Sequence, residues 1–355
     1  MGILAFGLWP FNFHARNHVE WLPNGSGLHF GGYGEAYSRS QWTRKQPPDP
    51  DPGVTIELWV RSGERKYNQV SGLVSIVDSS PDCFSIAQSG PDVLVRGQFQ
   101  DANHRVALRR IYIDDAFPQT QPRFLTVTSG PQGTALYLDG ATRRKFPFVL
   151  TKSNFAGGLL LGHNFVGHQA WAGDLLGLAV YDRPLAQTEI IKDYAAWQHA
   201  NAAELVRSPG LAALYLFDEG SGDVIHNRAG DAPDITIPLR FTELHKTFLS
   251  FSSNLDRANL DLSDIAENIA GFVPLGFFLC AFLRYGKRLE TSRAILLAVI
   301  LGGVTSLTIE LLQAYLPSRE SSLLDLLNNT FGTALGAALQ CGVARVARRT
   351  YSPSL

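Results

Sequence analysis

A run of about 22 residues from Ala294 to Tyr315, AILLAVILGGVTSLTIELLQAY, is apolar enough to form a bilayer-spanning helix. At about 1.5 Å rise per residue it would extend about 33 Å, against a hydrocarbon core of about 30 Å. Polar residues nevertheless lie within and after this run, namely Glu310, Gln313, Arg319, Asp325 and Asn329. A carboxylate in such a helix is costly unless it faces a partner or a polar cavity. We therefore expect this group to mark the functional site.

The 355-residue chain divides into two parts of different composition. Residues 12 to about 240 are polar and rich in turn residues, whereas residues 265–347 contain no histidine and little charge. Basic and acidic residues number 31 and 32, which argues against a nucleic-acid partner. The three cysteines do not form a disulfide pattern: Cys280 and Cys341 lie in apolar runs, and Cys83 stands alone in the polar part. They are predicted to be small packing residues.

The N-terminal segment, residues 1–24, begins with the apolar stretch MGILAFGLWPF. This stretch is too short to span a membrane and lacks the basic region and cleavage site of a signal peptide. It is typical of the end of a transmembrane helix whose beginning is missing, with Trp9 and Phe11 at the membrane interface. The alternative is an apolar strand that packs into the polar part.

Residues 25–238 are predicted to form an all-β sandwich of two sheets. Short β-branched and aromatic runs, several of them alternating apolar and polar residues, are separated by turn signals. The predicted strands are Val54–Val60, Phe124–Ser129, Ala135–Leu138, Leu159–Leu161, Leu175–Tyr181 and Leu211–Phe217. Asp139-Gly140 is a strong hairpin signal, and Leu185–Asn201 is the predicted amphipathic helix of this part.

The order of several motifs resembles the laminin-G-like, concanavalin A-like lectin/glucanase fold. These motifs are VTIELWVRS at 54–62, ALYLDG at 135–140, LLLGHN at 159–164, WAGDLLGLAVYDRPLAQTEI at 171–190 and LAALYLFDEGSGDVIHNRAG at 211–230. The resemblance implies a concanavalin A-like jelly roll. It says little about a ligand.

The sandwich contains residues that could belong to three kinds of site. The paired carboxylates of a glucanase, two and four or five residues apart on one strand, are absent around Glu57, so a hydrolase is disfavoured. Oxygen ligands for a structural calcium could come from Asp218, Glu219, Asp223 and Asn227. The alternative is a tight turn whose acids bond backbone amides. His163 and His168 could bind a metal or be ordinary loop residues.

An all-α transmembrane bundle is predicted for residues 265–347, after an interfacial linker at 239–264. Its helices are Ile265–Leu283, Ala294–Leu316 and Leu323–Ala347, followed by a cytoplasmic tail at 348–355. Basic residues follow the first and third helices, which places those ends in the cytoplasm and the sandwich outside it. The expected location is therefore a bacterial plasma membrane, with several spans and an extracytoplasmic sandwich.

On this topology seven polar residues converge near the outer face of the membrane. They are Asp264, Asn268, Glu310, Gln313, Arg319, Asp325 and Asn329. Glu310 and Gln313 are three apart and Asp325 and Asn329 four apart, so each pair lies on one helix face.

The same residues carry a second resemblance, to the VanZ-like family, whose namesake is tied to resistance to the glycopeptide teicoplanin. The motifs are D-x-x-x-N-x-x-x-F-x-P-L-G at 264–276, E-L-L-Q-x-x-x-P-x-R at 310–319 and D-x-L-x-N-T-x-G-x-x-x-G at 325–336. The chain departs from the family in lacking a complete first helix. The activity that the resemblance implies is unsettled.

The leading hypothesis is a cell-envelope protein whose sandwich binds a glycan or an envelope protein and whose bundle contacts membrane lipid. In it Asn268, Gln313, Arg319, Asn329 and Asp264 bind a polar headgroup. The alternative is a membrane enzyme acting on a lipid-linked glycan or phospholipid headgroup, with Glu310 or Asp325 as base. A purely structural role, in which Arg319 pairs with both acids, also stays open. No histidine is available to activate a thiol, so a sortase-like transpeptidase is disfavoured.

Overall fold

The computed structural model describes residues 2–23, 26–43, 53–63, 70–77, 84–117, 121–163, 170–241, 248–249, 262–316, 319 and 321–350. Cys83, His168 and most of the expected linker lie outside them. The chain separates into two units, one of Ala15–Leu244 and one of Met1–His14 with His245–Leu355.

The first unit is built from strands. Its first nine are β1 (Val19–Trp21), β2 (Leu28–Phe30), β3 (Ala36–Ser38), β4 (Trp42–Thr43), β5 (Val54–Ser62), β6 (Val70–Val77), β7 (Phe84–Ser89), β8 (Asp92–Gln100) and β9 (Val106–Ile113). The next are β10 (Arg123–Gly130), β11 (Gly133–Leu138), β12 (Ala141–Phe146), β13 (Val149–Leu150), β14 (Ala156–Leu161), β15 (Gly173–Tyr181), β16 (Leu211–Tyr215), β17 (Val224–Ile225) and β18 (Ile235–Thr236).

These strands form two antiparallel sheets. One has the order β1-β2-β15-β5-β10-β11-β12, with β16 also paired to β15. The other has the order β13-β8-β7-β6-β14-β3-β18-β17, with β4 paired to β14 and β9 to β8. The two-sheet sandwich predicted from the sequence is confirmed.

Alternation along β5 shows how the sequence separates the two faces of the first sheet. Ile56, Leu58 and Val60 belong to the core between the sheets, whereas Glu57 and Trp59 point to the opposite face. That opposite face is covered by a helix, so both faces of β5 are largely buried.

The predicted hairpin at Asp139-Gly140 joins β11 to β12. Both residues have positive φ, 53° and 74°, as a two-residue turn between antiparallel strands requires. Asp139 Oδ1 accepts a hydrogen bond from the amide of Phe124 at 2.9 Å, which ties the turn to β10.

The sandwich begins before residue 25, where the sequence pattern placed its start. β1 pairs with β2, from Val19 opposite Phe30 to Trp21 opposite Leu28. The buried Asn17 side chain donates to the carbonyls of Glu35 and Pro238, both at 2.8 Å. The end of the expected N-terminal segment therefore belongs to the first unit.

Helix α2 (Gln187–Gln198) covers the outer face of the first sheet, and a short 3₁₀ helix, Ala202–Arg207, follows it. Ile190, Asp193 and Trp197 are its buried residues, and the spacing of three and four places them on one face. Arg183 and Glu189 form a salt bridge of 2.7 Å at its start.

The second unit is helical. It contains α1 (Gly2–Gly7), α3 (Leu262–Ala281), α4 (Thr291–Gln313) and α5 (Leu323–Thr350), and a π-helical turn, Phe282–Gly286, extends α3. The helices that follow the sandwich agree with the predicted fold class.

Small residues bring α3 and α5 together. A Cβ added at Gly332 would overlap the Ile269 carbonyl, and one at Gly336 would overlap the Val273 carbonyl. The two backbones approach this closely because the glycines of α5 carry no side chain at the contact, as small residues allow in packed helix pairs.

Candidate functional site

The polar cluster of the helical unit is formed by Asn268, Ser306, Glu310, Ser322, Asp325 and Asn329. Glu310 is 1% exposed, near the end of α4. Its Oε2 accepts a hydrogen bond from the backbone amide of Ser322 at 2.8 Å. Because Ser322 directly precedes α5, the carboxylate caps the positive N-terminal end of that helix.

A second contact of the polar cluster joins α3 to α5. Asn268 Nδ2 donates to Asp325 Oδ1 at 2.9 Å, and the Asp325 amide donates to Ser322 Oγ at 3.3 Å. Residues 57 positions apart in the chain thus meet in one hydrogen bond.

A third contact joins α5 to α4. Asn329 Nδ2 donates to Ser306 Oγ at 3.0 Å, and both residues are buried. The Oδ1 atom of Asn329 is also buried and accepts no hydrogen bond from any described residue. An acceptor in this condition has room for a further donor.

Gln313 and Arg319 contact the N-terminal segment. Gln313 Nε2 donates to the Gly7 carbonyl at 2.8 Å, and Arg319 Nε donates to the Trp9 carbonyl at 3.3 Å. The Arg319 side chain is exposed, and within the described residues it forms no salt bridge with Glu310 or Asp325. Its terminal Nη atoms form no hydrogen bond within the same residues.

The predicted residues are thus only partly brought together. Asn268, Glu310, Asp325 and Asn329 join in the polar cluster, whereas Gln313 and Arg319 contact the N-terminal segment. Asp264 is exposed at the start of α3 and forms no hydrogen bond or salt bridge with a described residue. Sequence reasoning missed Ser306, although its position one turn before Glu310 on the same helix face could have indicated it.

The calcium candidates of the sandwich are engaged with protein donors. Asp218 Oδ1 pairs with Arg228 at 2.7 Å, and Glu219 Oε1 accepts from the amide of His226 at 2.8 Å. Asn227 Oδ1 accepts from the amide of Leu214 at 2.9 Å. The part of the chain that the structure describes, which includes Asp223, holds no group of three or more histidine, cysteine or acidic residues arranged for a metal. Calcium at this turn stays a prediction.

A buried carboxyl that the sequence analysis weighed only as a glucanase residue lies under α2. Glu57 is 0% exposed, and Thr126 and Ala179 are its neighbours on the adjacent strands. Burial raises the pKa of Glu57 well above its ordinary value, and the nearby Asp193 carboxylate raises it further. Burial also raises the pKa of Asp193, whose Oδ2 accepts a hydrogen bond from the Tyr181 hydroxyl at 2.7 Å. Glu57 therefore lies in the interior rather than in a cleft.

A polar group on the same sheet, in which a buried Asp174 is held by two more exposed side chains, also escaped the sequence analysis. Asp174 on β15 accepts from His29 Nδ1 at 2.7 Å and from Arg61 Nη1 at 2.9 Å. The three residues come from β2, β5 and β15, so only the strand pairing shows that they meet.

Two family models match the chain. The model described as VanZ/LLP1 matches residues 213–344, and that described as the concanavalin A-like lectin/glucanases superfamily matches residues 35–191. The chain is a concanavalin A-like domain fused to a VanZ-like region. The VanZ match begins at β16, within the sandwich. None of the curated proteins compared with the fusion gave a significant match.

Solved structures similar to the fusion include two toxin domains. The receptor binding domain of botulinum neurotoxin D is 10% identical, with a TM-score of 0.37, over 51% of this chain and 46% of that one. The binding domain of botulinum neurotoxin DC, in complex with rat synaptotagmin II, is 14% identical with a TM-score of 0.37, over 52% and 46%. This chain therefore covers less than half of each toxin domain. Neither similarity is evidence for a ligand of this chain.

Two of the described helices, Ser263–Gly286 and Thr291–Gln313, are long and apolar enough to cross a membrane. Together with the VanZ match they indicate a membrane protein. The helix α5 is less apolar and is not among them.

Proposed function

We propose that the fusion is an integral membrane protein of the cell envelope whose helical unit binds an anionic headgroup. Its sandwich, on the extracytoplasmic side, would bind a glycan or an envelope protein in an accessory role in envelope glycan handling or glycopeptide-type resistance. The VanZ match and the two apolar helices support the membrane location. The concanavalin A-like match supports a binding role for the sandwich.

The state of Arg319 carries the headgroup proposal. Its guanidinium is exposed, and its Nε is held by the Trp9 carbonyl at 3.3 Å. Neither Nη atom donates to any residue that the structure describes, and a guanidinium fork matches the oxygens of a phosphate or carboxylate. Gln313 donates to the Gly7 carbonyl, two residues before Trp9, so both side chains hold the same N-terminal segment.

The contacts of the two acids argue against a purely structural ion network. Such a network would pair Arg319 with Glu310 and Asp325, but the partners of these acids are Ser322 and Asn268. Glu310 caps α5 and Asp325 links α3 to α5, so each acid supports the helices. Arg319 is then available for an external anion.

The headgroup proposal is tested by mass spectrometry of lipids extracted from the purified protein. Arg319→Ala should lower the bound anionic lipid severalfold, because an exposed guanidinium is lost while the polar cluster stays intact. The matched control is Arg293→Ala, an exposed arginine in the first turn of α4. Equal lipid in wild type and Arg319→Ala would refute headgroup binding at this residue.

The second candidate function is a membrane enzyme acting on a lipid-linked glycan or a phospholipid headgroup. The buried Oδ1 of Asn329, which accepts no hydrogen bond from a described residue, favours it, since that acceptor could orient a substrate donor next to Asp325. Asp325→Asn keeps the shape of the side chain and removes its basicity, so it should abolish turnover of added lipid substrates while bound lipid is retained. Unchanged product formation in Asp325→Asn and in Glu310→Gln would exclude both as the base.

A further inference from the structure

The apolar part of the helical unit contains a second polar group that the proposed function does not use. Cys280 on α3 and Cys341 on α5 are free thiols whose Sγ atoms lie 3.9 Å apart. Gln340 Oε1 accepts from Cys280 Sγ at 3.5 Å, and Arg284 Nη1 donates to Gln340 Oε1 at 2.8 Å. Arg284 Nη1 also donates to Cys341 Sγ at 3.7 Å.

The close helix packing explains why the two sulfurs meet. Gly332 and Gly336 on α5 bring its backbone against the carbonyls of Ile269 and Val273 on α3. Gln340 and Cys280 lie about one to two turns further along the same faces. The helix separation set by the glycines therefore extends to the two thiols.

We propose that Cys280 and Cys341 form a reversible disulfide that covalently links α3 to α5, with a hydroperoxide as the oxidant. Both residues are packed inside the unit, but Cys341 keeps 6% of its surface exposed, whereas Cys280 has none. Cys341 is thus the thiol that a small oxidant reaches first, and Cys280 is the resolving thiol.

The disulfide forms in two steps. The Cys341 thiol loses its proton, its thiolate attacks the hydroperoxide and the O–O bond breaks. A sulfenic acid forms, and the expelled alkoxide, or hydroxide in the case of hydrogen peroxide, takes up that proton and leaves as an alcohol or water. Cys280 Sγ then attacks the sulfenic sulfur, the S–S bond forms, and hydroxide leaves as water with the Cys280 proton. Two thiols are oxidised by one peroxide, and a dithiol reductant restores them.

The link would act on the helix pair that carries the polar cluster. Asn268 and Asp325 join α3 to α5 near one end of that pair, and the disulfide would join them near the other. Oxidation would therefore fix the register of α3 against α5 at two levels.

The test uses the full chain in detergent with Cys83→Ser as background. Hydrogen peroxide is added, the protein is unfolded in N-ethylmaleimide, and its intact mass is measured. We expect two labels before oxidation, none after it, and two again after dithiothreitol, which is at least a tenfold loss of labelling. Retention of both labels, or oxidation to sulfinic acid without a link, would overturn the proposal.

The matched control moves the second thiol by one position, as Cys341→Ser with Gly342→Cys. A Cβ at Gly342 meets nothing within 4 Å, so the thiol is tolerated, but it points about 100° away around the helix. This variant should keep both labels after oxidation. If it formed a disulfide as completely as the native pair, helix motion rather than the native position of the two thiols would explain the cross-link. Should a variant fail to fold, peptide mapping of the oxidised wild-type chain decides, since a linked peptide must contain residues 280 and 341.

Discussion

At the scale of single residues, the buried Glu57 carboxyl has the clearest physical consequence. It points away from the core between the sheets and into the layer under α2, where the Trp197 indole lowers its pKa by less than burial raises it. A carboxylate in such surroundings is strongly disfavoured relative to the neutral acid. The folded protein therefore holds Glu57 protonated at a pH where the unfolded chain has released the proton.

This difference gives stability a pH dependence of known sign. The unfolded state loses the Glu57 proton near its ordinary pKa of 4.5, whereas burial raises the pKa in the folded state well above it. The folded state thus binds more protons between the two values, and its free energy of unfolding falls by about 1.4 kcal/mol per pH unit there. Glu57→Gln should remove this loss, so its free energy of unfolding in urea titrations should rise relative to that of wild type as the pH increases toward 8.

The matched control for Glu57→Gln is Glu189→Gln on α2, because the pKa of Glu189 is lowered where that of Glu57 is raised. Hydrogen bonding to Arg183 lowers the pKa of Glu189 in the folded state. The ionised Glu189 therefore stabilises the folded protein above its pKa in the unfolded chain, and this stabilisation is lost as the pH falls through its pKa in the folded state. Glu189→Gln should therefore destabilise at pH 8 and converge with wild type in acid. If Glu57→Gln showed the Glu189→Gln profile, the protonated state of Glu57 would be disproved.

The sequence indicated the residues of the polar cluster but not their partners. Acids next to apolar runs at helical spacing are costly enough to predict a common site, and Asn268, Glu310, Asp325 and Asn329 do belong to one polar cluster. That Glu310 would cap α5 depends on where the following turn ends, which no spacing rule gives. The partner of Arg319 could not be predicted either, because its Nε donates to the Trp9 carbonyl, 310 residues earlier in the chain.

At the scale of the elements, the glycine contact between α3 and α5 should decide whether the helices pair. Gly336→Ala places a methyl group against the Val273 carbonyl, so the helices must separate. We expect a cost of about 1–3 kcal/mol, seen as a lower midpoint of thermal unfolding. Gly342→Ala, in the same helix with open space around it, should be neutral or slightly stabilising. Equal effects of the two changes would show that helix propensity, not contact, is being measured.

Buried strands such as β5 and β15 were predicted, but the largely buried β6, β7 and β8 were missed, as were the edge strands β9 and β12. β5 and β15 are rich in β-branched and aliphatic residues because both faces are covered. β9 and β12 carry exposed arginines, as in VALRRIYI and ATRRKF, and neither was predicted from its sequence. Charged residues on edge strands prevent pairing with other chains. Because they interrupt the apolar and β-branched pattern, such strands are difficult to predict from the sequence.

At the scale of the whole molecule, the proposed orientation follows from the distribution of basic residues around the helices. The turn after α3 carries Arg284, Lys287 and Arg288, and the end of α5 carries Arg345, Arg348 and Arg349. Positive charge is retained in the cytoplasm, because its transfer across the membrane is disfavoured during insertion. The proposal that the sandwich is extracytoplasmic rests on this asymmetry.

Cysteine labelling in intact cells tests that orientation with two exposed positions in a cysteine-free chain. Ser221→Cys lies in a turn of the sandwich, and Lys287→Cys lies between α3 and α4. A membrane-impermeant maleimide should label the first in whole cells and the second only after permeabilisation. The opposite pattern would place the sandwich in the cytoplasm and leave Arg319 facing the cytoplasmic leaflet, where an extracytoplasmic glycan carrier could not reach it. Labelling of both positions before permeabilisation would mean that the segment between them does not cross the membrane, which would reject the spanning role of α3.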